Sequence, residues 1–65
     1  MSLAENLKEA RIKANISQAE LARKSGVSQP MIAQIETGMK IPGLVVGVRL
    51  SKALDITVEQ LLDSA

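Results

Sequence analysis

The chain has 65 residues, a net charge of +1, 46% hydrophobic residues, and no cysteine, histidine or aromatic residue. That allows one small domain, residues 1–65, with a core of Leu, Ile, Val, Met and Ala; a chain this short buries only about 60% of its unfolded surface. It excludes disulfide staples and thiolate chemistry, the usual zinc sites, histidine-based triads and aromatic stacking platforms for single-stranded nucleic acid. No apolar run reaches about 18 residues and no signal peptide opens the chain, so a cytoplasmic location without a membrane partner is expected. No metal and no cofactor are expected. Gly43 and Gly47 lie in an apolar stretch without the Gly-Lys-Ser/Thr of a phosphate loop. Glu9, Glu20 and Glu36 have no partner that would make an enzyme of the chain.

Leu3, Leu7, Ala10 and Ala14 recur at helical spacing behind a capping-box pattern, Ser2 and Glu5, which predicts a first helix over 3–14. Asn15 interrupts it. Ser17 and Glu20 repeat the pattern and open a second helix over 18–24. Gly26 follows at the turn, where a positive φ costs glycine least. Ser28 or Gln29 opens a third helix, 29–37, which Gly38 closes. Pro30 complicates its start, because proline favours the first helical position and pushes its predecessor out of the helical region. After Pro42, Leu44 to Leu50 reads LVVGVRL, whose valines favour a strand almost as much as a helix. Leu50, Ala53 and Leu54 pull the segment towards a fourth helix, 43–54. Thr57 and Gln60 cap a fifth, 58–63, with Val58, Leu61 and Leu62 as its apolar set. No repeat, low-complexity tract or linker is seen. The fold class is all-α, five helices and no sheet.

On a wheel at about 100° per residue, Met31, Ile32 and Ile35 share one side of the third helix. Gln29, Pro30, Ala33, Gln34 and Thr37 share the other, and Glu36 falls at the boundary. An ordinary amphipathic surface helix explains the apolar stripe. It does not explain an outward face without the long Glu and Lys side chains of solvated helices. Two glutamines among small residues permit close approach to a partner; glutamine can pair with adenine N6 and N7, and proline or alanine can pack on a thymine methyl. Charge leans the same way: residues 6–40 sum to +3 and residues 41–65 to −1.

SQAELARKSGVSQPMIAQIETG, residues 17–38, resembles the helix-turn-helix of the lambdoid phage repressors and Cro proteins, the XRE family. Gln18, Ala22, Gly26, Val27, Ile32 and Ile35 fall on the motif's positions, and LSKALDITVEQLL resembles the family's closing helix pair. The resemblance runs from Leu7 to Leu62, with the helix-turn-helix about 18–37. It implies a five-helix repressor-like bundle that binds double-stranded DNA in the major groove. It implies base contacts from Gln29, Pro30, Ala33 and Gln34, and backbone contacts from Gln18, Ser28, Thr37, Gly38 and Lys40. Gln18 would also brace Gln29. Arg11 and Glu36 match positions that pair as a structural salt bridge.

Related sequences often carry Arg or Lys where this chain has Gln29, Gln34, Met39 and Ile41. The implied electrostatic affinity is therefore modest, and tight binding would need a homodimer, its contacts expected from the fourth and fifth helices. The reading is a transcriptional repressor. A regulator of a toxin–antitoxin or restriction–modification operon, and a protein-interaction module on the same fold without DNA binding, stand beside it.

Overall fold

A computed structural model describes residues 2–62, which form five helices: α1 Leu3–Lys13, α2 Gln18–Ser25, α3 Gln29–Glu36, α4 Leu44–Ala53 and α5 Val58–Leu62. No strand occurs among the described residues. The expected end of the fifth helix, Asp63, lies outside them. α1 and α3 stop one residue short of the expected ends and α4 is one residue short at both, because Ala14, Thr37 and Leu54 serve as C-caps and Gly43 as an N-cap; α2 runs one residue further than expected, to Ser25, up to its C-cap Gly26.

Serine and threonine hydroxyls start four of the helices. Ser2 Oγ accepts from Glu5 N–H while Glu5 Oε1 accepts from Ser2 N–H, a complete capping box. Thr57 and Gln60 make the same exchange. The second box is half-formed. Ser17 Oγ accepts from Glu20 N–H at 3.1 Å, but the Glu20 carboxylate lies 3.7 Å from Arg23 Nη2, a cation one turn away that competes for it. Ser28, not Gln29, caps α3. Its hydroxyl accepts from Met31 N–H and its carbonyl from Ile32 N–H, and Pro30 has no N–H to satisfy.

Two corners share one design that is too short to stand out as a repeat. After α1, Asn15 adopts φ 61°; after α4, Asp55 adopts φ 57°. The next residue in each case, Ile16 or Ile56, donates its N–H to a carbonyl five residues back, on Arg11 or Ser51. A hydroxyl N-cap follows, then Glu20 or Gln60, then a buried leucine, Leu21 or Leu61. Asn and Asp tolerate the left-handed conformation that closes a helix this way.

The core comprises Leu7, Leu21, Val27, Ile32, Ile35, Leu50, Leu54 and Leu61, each 7% exposed or less. Burying each contributes roughly 1.5–3 kcal/mol. Leu3, Ala10, Ala22, Met31 and Val46 pack around it. Of the apolar sets read from the sequence, Ala14 is exposed and Leu62 is 60% exposed, since each sits at a helix end beyond the core. LVVGVRL is helical. Leu50 and Leu54 enter the core one turn apart while α4 packs on α2 and α5, and that burial outweighs the local preference of the valines. α3 packs on α1 and α2 through Ile32 and Ile35, which leaves its other side for the surface.

Candidate nucleic-acid interface

The motif is α2, a turn at Gly26, and α3. Gly26 has φ 73° and its N–H donates to Ala22 O at 2.9 Å, ending α2. Ser25 Oγ accepts from Val27 N–H at 3.1 Å, which holds the chain as Val27 enters the core. The turn thus fixes where α3 begins.

On α3, Gln29, Pro30 and Thr37 are exposed, and Ala33 and Gln34 are half-buried. Because Ser28 is the cap, Gln29 is the first helical residue and Pro30 the second. The Ser28 hydroxyl oxygen is used on Met31, and its own hydrogen remains for an outside acceptor.

The segment after α3 is more committed than its small polar residues suggest. Thr37 N–H donates to Ala33 O, and Gly38 N–H, at φ 81°, to Ile35 O. Met39 N–H, Lys40 N–H and Thr37 Oγ1 all donate to Gln34 O, at 2.9, 3.2 and 3.1 Å. Every backbone N–H from Thr37 to Lys40 is spent on the end of α3. Lys40, exposed, therefore offers this loop's uncommitted donors through its ammonium.

Arg11 and Glu36 meet across α1 and α3. Arg11 Nε lies 2.8 Å from Glu36 Oε2, and Nη2 lies 3.2 Å from Oε1. Arg11 Nη1 donates to Ile16 O at 3.0 Å. The side chains are 14% and 3% exposed. The hydrogen bonds Arg11 donates to Glu36, and then the Glu36 charge, hold the Arg11 pKa above its ordinary value, against the effect of burial. Sequence reasoning left Glu36 at the edge of its helix; the structure buries it. Gln18 also turns inward: its Nε2 donates to Glu36 Oε1 at 3.1 Å, not to the Gln29 side chain. Nothing in the local pattern around Gln18 signals that contact.

Among the described residues, no group of three or more Asp or Glu could hold a metal, and no helix is long and apolar enough to cross a membrane.

Comparison with known proteins follows the same geometry. A helix-turn-helix family model matches residues 7–61. An uncharacterized HTH-type transcriptional regulator of Mycobacterium tuberculosis is 40% identical over 48 residues, 74% of this chain and 34% of that protein. Another, from Sinorhizobium fredii, is 39% identical over 56 residues, 86% of this chain and 29% of that protein. The chain thus spans about a third of the length of these relatives. The P22 c2 repressor, solved in complex with a synthetic operator, superposes with a TM-score of 0.92 at 32% identity, covering 100% of this chain and 98% of the repressor's. The restriction-modification controller protein C.AhdI of Aeromonas hydrophila gives 0.89 at 32% identity, covering 92% and 91%. With its five helices, its turn at Gly26 and a family match over most of its length, this chain belongs to the XRE-type helix-turn-helix family.

Proposed function

We propose that this chain is a sequence-specific double-stranded DNA-binding domain of a transcriptional regulator, with α3 as the element that enters the major groove. The observation that carries the reading is the outward side of α3. Gln29 and Gln34 stand there among Pro30 and Ala33, with no long charged side chain, on a helix whose other side is fixed in the core. Glutamine's paired donor and acceptor suit adenine. Gln18, Ser28 and Lys40 flank this face as backbone contacts, while Thr37 and Gly38 shape the loop that presents Lys40. The likeness to a repressor solved on its operator supports the same reading.

The active form is a symmetric homodimer, since one recognition helix reads only a few base pairs. The surface for it is apolar. Met39, Ile41, Leu44 and Val45 are 77, 86, 79 and 65% exposed, and Lys40 is the one charge between Thr37 and Val48. The loop and the first turn of α4 are thus favoured over the rest of α4 and α5 as the contact. Regulation of a restriction–modification operon is a second reading, favoured by the near-complete mutual coverage with C.AhdI.

Selection of bound sequences from a random duplex library tests the proposal. The expected product is a pseudo-palindrome with half-sites about 34–36 Å apart. Gln34→Ala should relax preference at one base pair, worth about 1–3 kcal/mol. Lys40→Ala should weaken all sequences alike and reduce the salt slope by about one. No enrichment at any salt concentration would leave an interaction module as the better account.

A further inference from the structure

Gln18 is the first residue of α2, and its side chain is not free to turn. Its Nε2 donates to Glu36 Oε1 at 3.1 Å, the same oxygen that accepts from Arg11 Nη2 at 3.2 Å. The other carboxylate oxygen accepts from Arg11 Nε at 2.8 Å. Arg11 Nη1 closes the circuit on Ile16 O, two residues before Gln18, at 3.0 Å. One buried carboxylate therefore joins the end of α3 to the start of α2.

We propose that Glu36 is a positioning residue for DNA binding, acting through Gln18: it selects the orientation of the Gln18 amide and so decides which atoms that amide offers to a phosphate. This rests on the DNA-binding reading above.

The argument is one of donors and acceptors. An ionised carboxylate only accepts hydrogen bonds. It attracts the amide N–H₂ and repels the amide carbonyl, so of the two amide orientations only one makes a bond. Glu36 is 3% exposed, so little water competes for it, and a hydrogen bond in such a place is stronger than on the surface. What Gln18 can then present outward is fixed: one remaining N–H and the carbonyl oxygen. The N–H is the group that can meet a phosphate. Held in advance, it loses little rotamer freedom on binding. Because Glu36 is also the last residue of α3, the same carboxylate sets the distance from this N–H to the loop carrying Lys40.

The test measures duplex affinity at a temperature where circular dichroism shows every variant folded. Gln18→Ala should weaken binding about tenfold in the native chain, the worth of one good hydrogen bond. In a background where Arg11→Met and Glu36→Leu remove the pair together, Gln18→Ala should cost less than about twofold, because the orientation it relied on is already lost. Arg11→Met alone is the control for a merely structural role. It lowers the melting temperature but leaves Glu36 to hold Gln18, so Gln18→Ala should keep its tenfold effect there. Equal losses in the native and pair-deleted backgrounds overturn the proposal, as does a Gln18→Ala variant that binds like the native chain. If the pair-deleted background does not fold, hydrogen exchange of the side-chain amides in the native chain decides. The Gln18 protons should exchange several-fold more slowly than those of Gln34, and equal rates overturn the proposal. A native chain that binds no duplex would instead bring down the DNA-binding reading itself.

Discussion

Arg11→Met should be among the most damaging single changes this domain can suffer. It strands the Glu36 carboxylate, 3% exposed, with only the Gln18 amide as donor, and it removes the donor to Ile16 O. Breaking a buried pair by deleting one partner costs about 3–5 kcal/mol. A domain of 65 residues has roughly 3–10 kcal/mol in all. Each kcal/mol moves the melting temperature of a domain this size by about 4–8 °C, so the variant should melt at least 12 °C or so below the parent. Glu36→Leu should cost less, about 2–4 kcal/mol, because Arg11 keeps Ile16 O and a wetter guanidinium. The double variant leaves no unpaired charge inside, and its loss should fall short of the sum by about 1–3 kcal/mol. Urea unfolding followed by far-UV circular dichroism supplies all four stabilities. If the single losses add to within about 0.5 kcal/mol, the two residues act as independent charges and the argument fails.

Gly26→Val should destabilise by about 1–2 kcal/mol or more, because it forces a β-branched residue to φ 73°; the new Cβ would lie 3.5 Å from Arg49 Nη1, an ordinary contact, so the backbone is the cause. An unchanged melting temperature would contradict this. Gly47→Ala should do the opposite. Gly47 is inside α4 and an added Cβ meets nothing within 4 Å, so thermal melting should show a gain of about 0.5–1 kcal/mol. Glu5 is held below its ordinary 4.5 chiefly by the hydrogen bond from Ser2 N–H. Its stabilisation is therefore present above 4.5 and lost as pH falls through the lower folded value. Glu5→Gln should flatten the acid side of a plot of urea midpoint against pH; the same slope in both chains would exclude Glu5 as a contributor.

Features governed by near neighbours were readable from the sequence. Ser2, Ser17 and Thr57 announce helix starts, and Asn15, Gly26 and Gly38 announce stops, because caps and left-handed turns are closed by residues a few positions apart. Features governed by distant partners were not. Glu36 sits at the margin of its helical wheel, and its burial depends on Arg11, 25 residues away. Gln18 reads as an exposed phosphate contact until Glu36 is seen beside it. Val45, Val46 and Val48 argue for a strand, and only the docking of Leu50 and Leu54 settles the helix. The resemblance implies backbone contacts from Thr37 and Gly38, but the carbonyls at the end of α3 have a prior claim on their N–H groups, which no local sequence pattern reveals.

The paired corners at Asn15 and Asp55 bear on how quickly the molecule can assemble. Each is closed by bonds reaching back no more than five residues, so each can form while the rest of the chain is still open. Closing so short a loop takes on the order of 100 ns or less, and its entropic cost is small compared with that of distant contacts. Among the described residues, the hydrogen bonds that close long stretches are Gln18 to Glu36 over 18 residues, Arg11 to Glu36 over 25, and Asn6 Nδ2 to Leu61 O over 55. Folding then becomes a search among preformed bends, with α5 coming home against α1 as its longest step, and the order of events is written into two short stretches of similar grammar.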